Sequence, residues 1–150
     1  NLHLDIRTGT LEEQRFPNDF FDVVFLGDVI EHLLHPREAM NEIRRILSPT
    51  GIVALAYPME LNSIVPSVRR FLNLQRQSPD KPYHLFYYEL KTMRMLLEQC
   101  GFHVVHSQEH KLVRRQSIRT IITDLANMVV TTFTGSLGDR GFTIARREER

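Results

Sequence analysis

Residues Phe21 to Leu33, FDVVFLGDVIEHL, constrain this chain more than any other stretch. Asp22 opens an unbroken apolar run, Val23-Val24-Phe25-Leu26, which stops at Gly27-Asp28. A carboxylate and an imidazole then stand side by side at Glu31 and His32. A short apolar run bounded by turn residues reads as a strand buried on both faces. Such strands are mostly parallel members of an α/β sheet. Ligands of those sheets bind just past the carboxyl ends of the strands. Gly27, Asp28, Glu31 and His32 therefore fall where a site is expected.

The next segments complete a strand, helix and strand. Pro36 suits a first helical turn, where a missing N–H costs nothing. Behind it Ala39, Met40, Ile43, Ile46 and Leu47 recur at helical spacing and make one apolar face. Ser48-Pro49-Thr50-Gly51 is turn chemistry, with Gly51 suited to the left-handed conformation. Ile52 to Tyr57 reads as a second buried strand, cut off by Pro58. A right-handed crossover between two parallel strands follows.

The flanks are less regular. Leu2 to Ile6 alternates and predicts a short strand, with a loop or single helical turn at Gly9 to Glu13. A short helix is expected over 64–72 and a loop over 77–82. Leu90, Met93, Leu96, Leu97 and Cys100 predict a helix over 89–100, ended by Gly101, and a strand over 102–106. Residues 107–116 are polar and basic, 117–131 carry a soft amphipathic pattern, Gly135 to Gly138 reads as a turn, and Gly141 to Arg146 as the last strand.

Composition narrows the function classes. A formal net charge of +1 argues against a dedicated nucleic-acid binder. The single cysteine, Cys100, excludes an internal disulfide and a cysteine zinc cage, and fits a reducing, cytoplasmic setting. No apolar run approaches the ~20 residues that a bilayer crossing needs. Of the 7 glycines, no two lie close together before Gly135, so the early part has no glycine-rich nucleotide turn. Either the chain does not bind such a cofactor alone, or a glycine-rich portion lies upstream. The initial Asn fits a processed or excised segment.

Three segments in order carry a family resemblance: FPNDFFDVVFLGDVIEHLLHP at 16–36, RRILSPTGIVALAYP at 44–58, and HLFYYELKTMRMLLEQCGFHVV at 84–105. With the closing GFTIARRE, they resemble the class I S-adenosyl-L-methionine (SAM)-dependent methyltransferases, closest to the ubiquinone-biosynthesis-like, small-molecule branch. The resemblance implies a partial Rossmann-like α/β fold, mainly parallel with an antiparallel C-terminal strand and lacking the family's strands 1 and 2. It implies one truncated domain over 1–150, the C-terminal two-thirds of the family's domain, with 107–135 as an insertion or cap between the last two strands. It also implies SAM as cofactor and a small-molecule methyl acceptor. Thr10, Leu11 and Glu12 take the family's adenine-side turn; relatives often carry Asp where Thr10 stands, so backbone groups near Leu11 would do more of the holding. Gly27, Asp28 and Val29 take the loop against the methionine part. The glycine-rich loop and the acidic ribose ligand of the family would lie upstream of Asn1.

Methyl transfer needs alignment more than strong acid or base. A hydroxyl acceptor is helped by a general base, and His32 is the first candidate. The pair Glu31-His32 reads more readily as a structural element that orients the loop or caps a neighbour, and less readily than either as a metal-site element as in some hydroxyl-methylating relatives. His84 and Tyr57 are candidates for the acceptor pocket, against a packing or capping role for each. On a regular strand His103 and His106 point to opposite faces, so no metal site is assigned there or elsewhere. Cys100 reads as an inert core thiol. Lys111, Arg114, Arg115 and Arg119 read as a solvated loop ahead of an acidic-acceptor or tRNA surface.

Two functions follow. One is SAM-dependent methyl transfer to a small molecule by in-line displacement, with this chain feeble or inactive alone. The alternative is a non-catalytic module derived from the same fold, in which the unpaired edge of strand 21–26 makes a homodimer. A nicotinamide dehydrogenase half-domain has less support, because it too needs a GxGxxG turn.

Overall fold

The computed structural model describes residues 4–59, 84–110, 125, 128, 129 and 139–148. The regular elements among them are β1 (Phe21–Gly27), α1 (Pro36–Ile46), β2 (Leu47–Pro58), α2 (Leu90–Gln99), β3 (Phe102–His110) and β4 (Arg140–Arg147), with single 3-10 turns at Glu12–Gln14 and Ile30–His32. The expected helices over 64–72 and 117–131, the loop at 77–82 and the turn at Gly135 to Gly138 fall wholly or almost wholly outside the described residues. Of the expected cap at 107–135, residues 107–110 extend β3, and only 125, 128 and 129 are described beyond them.

The strands form one sheet in the order β1-β2-β4-β3. β1 and β2 pair in parallel, with Leu26 opposite Leu55 and Gly27 opposite Ala56. β4 runs antiparallel to both of its neighbours. The carboxyl ends of β1 and β2 therefore lie together, and the start of β4 lies beside them through the pairing of Arg140 with Pro58.

Pro36 opens α1, and Met40, Ile43 and Ile46 bury its apolar face. Arg44 and Arg45 occupy its last turn, where cations offset the helix dipole. Arg45 also holds the chain ahead of β1, donating to the Phe16 carbonyl at 2.7 Å and to Asn18 Oδ1 at 2.5 Å. Glu89 and Thr92 form a reciprocal cap at the start of α2, and Gly101, at φ +75, ends it. Both helices pack on one face of the sheet, around Val53, Leu55, Tyr57, Phe102 and Ala145.

Four expectations are corrected. β1 is not buried on both faces: Val23 and Phe25 are 57% and 62% exposed, because no layer covers the second face of the sheet among the described residues. Residues 4–8 form no regular element, and Leu4 and Ile6 are exposed. An alternating segment becomes a strand only with a partner to bond. Gly51 is not left-handed; β2 already begins at Leu47. Ser48 to Gly51 instead form an irregularity within the strand, where β1 advances from Phe21 to Val23 while β2 advances from Leu47 to Ile52. Finally, a register shift between Val104 and His106 puts an extra residue in β3. The alternation resets there, so His103 and His106 are both on the exposed side rather than on opposite faces. No helix among the described residues is long and apolar enough to cross a membrane.

Candidate functional site

The site begins where β1 ends. The Asp28 amide donates to the Ala56 carbonyl at 2.9 Å, which carries the β1-β2 ladder one step past Gly27. Asp28 has φ +54, a left-handed conformation that Asp tolerates better than most residues. Its carboxylate pairs with Arg140, the first residue of β4. Sequence reasoning passed over Arg140. The signal was available: the first residue of an antiparallel strand lands beside the carboxyl ends of its parallel neighbours.

Beyond Asp28 the chain makes the 3-10 turn Ile30–His32, closed by the His32 amide on the Val29 carbonyl at 3.0 Å. The Glu31 carbonyl accepts from the Leu85 amide at 2.8 Å and the Phe86 amide at 3.2 Å. These bonds bring the segment before α2 against the turn. They set the His84 ring edge-on to the His32 ring, with centroids 4.9 Å apart. Glu31 is 1% exposed, and among the described residues neither carboxylate oxygen has a hydrogen-bond partner. His32 Nε2 lies 3.7 Å from Glu31 Oε1, beyond hydrogen-bond reach. His32 keeps an open side, so it can meet both solvent and the cluster.

Tyr57 and Tyr88 form the floor beside this cluster, with ring centroids 6.2 Å apart. Tyr57 has no exposed surface, and its hydroxyl meets Thr143 Oγ1 at 3.0 Å. Thr143 in turn meets Ser107 Oγ at 3.0 Å, so three strands share one hydroxyl chain. Burial pushes the Tyr57 phenol up to about 12. Burial, then the nearby Glu31 charge, pushes Tyr88 to about 12. Of the two readings for Tyr57, the packed strand end is the one this conformation displays. Cys100 is buried, and burial raises its thiol, as expected of an inert core residue.

Thr10, Leu11 and Glu12 lie elsewhere. Thr10 and Glu13 cap the first 3-10 turn reciprocally, through Thr10 N to Glu13 Oε2 at 2.7 Å and Glu13 N to Thr10 Oγ1 at 3.4 Å. Thr10 and Leu11 line a cavity of about 470 Å³ with Arg7, Phe16, Phe20 and Phe21. Phe20 and Phe21 mark the start of β1, whereas Gly27 to Val29 mark its end. The structure thus gathers Gly27, Asp28, Val29, His32 and His84 at one end of β1, with Tyr57 beneath them, and sets Thr10, Leu11 and Glu12 apart.

A family model described as a methyltransferase domain matches residues 2–107. A protein of Mycolicibacterium smegmatis, named as a probable S-adenosylmethionine-dependent methyltransferase, is 31% identical over 101 residues, 67% of this chain and 36% of that protein. The chain therefore spans about a third of that relative's length. Among solved structures, a SAM-dependent methyltransferase from Archaeoglobus fulgidus has a TM-score of 0.61 at 16% identity, covering 95% of this chain and 66% of its own. A SAM-dependent methyltransferase of Thermotoga maritima has a TM-score of 0.61 at 16% identity, covering 93% and 62%. The solved structures share the Rossmann-like fold with this partial sheet, and the matched model spans well over half the chain. The chain belongs to the methyltransferase-domain family.

Proposed function

We propose that this chain supplies the acceptor side and part of the cofactor side of a SAM-dependent methyltransferase acting on a small molecule. The observation that carries this reading is the parallel β1-β2 pair, whose carboxyl ends set Gly27 to Val29 beside Ala56. The residues fit parts of the cofactor. Gly27 keeps the chain free of a side chain there: an added Cβ would stand 2.9 Å from the exposed Phe25 ring, which would have to move aside. When bound, SAM supplies an electrophilic methyl group for in-line displacement. His32 then takes the proton of a hydroxyl acceptor as it attacks. His84 orients the acceptor from the facing segment.

Two measurements test this reading. Calorimetry with S-adenosylhomocysteine should give weak, saturable binding. Gly27→Ala, whose Cβ would displace the exposed Phe25 ring, should weaken it further without unfolding the protein. Methyl transfer to a panel of small hydroxylated acceptors, read as S-adenosylhomocysteine release, should fall by roughly 100-fold in kcat with His32→Gln. Binding unmoved by Gly27→Ala, together with turnover unmoved by His32→Gln, would remove the assignment.

A second reading has its own observation. Among the described residues β1 is an edge of the sheet, and it carries exposed Val23 and Phe25. Such an edge pairs readily with a second copy. A homodimer through β1 would appear in light scattering at high concentration and would dissociate with Val23→Lys; a monomer at every concentration rules it out.

A further inference from the structure

We propose that a cavity at the amino end of β2 binds a small phosphate monoester. The cavity measures about 400 Å³ and is lined by Pro49, Thr50, His103, Arg146, Arg147 and Glu148. Pockets of this size take small organic ligands. It lies at the far end of the sheet from Gly27 to Val29. A strand rises ~3.3 Å per residue, so Thr50 stands roughly 25 Å from Pro58 at the other end of β2. The cavity is thus separate from the methyl-transfer site, and its occupancy is read without cofactor or acceptor.

Three strands bring the donors together. The sheet register sets Arg146 of β4 directly opposite His103 of β3 and Ile52 of β2. Side chains opposed in this way stand ~5 Å apart at their Cβ atoms. A protonated imidazole there would face a guanidinium, and like charges opposite each other destabilise a sheet. An anion between them reverses the sign. On the β2 side, pairing with β1 jumps from Leu47 to Ile52, and pairing with β4 starts only at Ile52. Ser48 to Gly51 are thereby released from the ladder, and such irregularities re-aim side chains at the rim of a sheet. Pro49 and Thr50, both exposed, become part of the cavity wall.

The availability of Arg146 is the deciding observation. The neighbouring arginines are committed. Arg44 donates to the Gly101 and Glu148 carbonyls, each at 3.2 Å, and Arg147 pairs with Asp19 and donates to the Leu47 carbonyl at 2.5 Å. The Glu148 amide adds a bond to the Gly101 carbonyl at 3.0 Å. These bonds fix the start of β3 against the end of β4 and hold the shape of the cavity. Among the described residues the side chains of Arg146 and His103 have no hydrogen bond or ion pair, and the Glu148 carboxylate pairs with neither.

A guanidinium, an imidazole N–H and the Thr50 hydroxyl make three donor groups, which match the three terminal oxygens of a phosphate monoester; a carboxylate presents two. Glu148 at the same cavity turns away an anionic polymer, whose further phosphates would meet it, and the chain's net charge of +1 gives such a polymer little to hold.

The test is calorimetric titration of the purified protein, at constant ionic strength, with glycerol 3-phosphate, inorganic phosphate, acetate and a short oligothymidylate. Glycerol 3-phosphate should saturate at one molecule per chain and bind more tightly than the other three. Arg146→Gln should lower its affinity by roughly 10-fold or more, the weight of a hydrogen bond to a charged group, and Thr50→Val by a smaller factor. Glu148→Gln should raise it. Arg94→Gln, on the exposed side of α2, removes the same charge outside the cavity and should leave it unchanged. Circular dichroism checks the fold of each variant, and His103→Ala supplies an independent loss should Arg146→Gln unfold. Absence of saturable glycerol 3-phosphate binding, or binding as sensitive to Arg94→Gln as to Arg146→Gln, overturns the site. Equal or tighter binding of acetate, inorganic phosphate or oligothymidylate overturns the choice of ligand.

Discussion

β1 and β2 lie side by side in parallel, and both are built from runs of apolar residues. Their surroundings differ. β2 sits between β1 and β4, with α1 and α2 on one face, and Val53, Leu55 and Tyr57 reach no solvent. β1 is bonded on one side only among the described residues, and it buries just Leu26. An apolar run states that a strand can be covered on both faces. It does not state that the covering layer is present. The difference between these neighbours is the difference between a strand whose partners are here and one whose partners are not among the described residues.

The largest expected contrast is a pair of substitutions. Leu55→Ala should cost about 3 kcal/mol in urea denaturation, since it opens a cavity in the centre of the core. Phe25→Ser, one strand over, should stay within about 0.5 kcal/mol. A cost at Phe25 near that at Leu55 would show that the second face is covered in solution. Gly141→Ala comes next, at about 2 kcal/mol, because an added Cβ would stand 2.4 Å from the Tyr57 ring. That ring is packed from the far side and cannot retreat cheaply.

Tyr57→Phe should be milder, about 1 kcal/mol at neutral pH, since Thr143 keeps its bond to Ser107. Its sharper signature is at high pH. The folded Tyr57 phenol titrates at about 12 against an ordinary 10.0, so the folded state holds its proton more tightly than the unfolded chain. The stability linked to that proton is whole below pH 10 and drains away as pH rises toward 12. Tyr57→Phe should flatten part of this alkaline decline, leaving the share due to Tyr88. An unchanged decline would place the buried phenol nearer water than the β2 side of the comparison requires.

Much of the framework was legible in the sequence. The run at Val23 to Leu26, the helical spacing behind Pro36 and the second run ending at Pro58 define the βαβ unit without reference to the rest. What escaped was set by partners distant in sequence. The alternation of Leu2 to Ile6 carries no information on whether a neighbouring strand exists to bond it. Ser48-Pro49-Thr50-Gly51 has turn composition, yet β1 alongside recruits it into an irregular strand. The shift at Val104/His106 is dictated by β4, so the facing of His103 and His106 cannot be read from β3 alone. The site splits the same way. Glu31 and His32 stand out locally, but their meeting with His84 depends on two amides on a segment far along the chain. Arg140, which holds Asp28, is farther still.

The junction at Glu31 has an engineering consequence. Its two bonds involve only peptide groups, so exchanging side chains cannot delete them unless proline arrives at position 85 or 86. The corner behaves as a socket with interchangeable fittings: positions 31, 32 and 84 can be rewritten, by drift or by design, while their spacing is inherited unaltered. New donor sets could be installed there and screened as a library, each starting from the same fixed mounting.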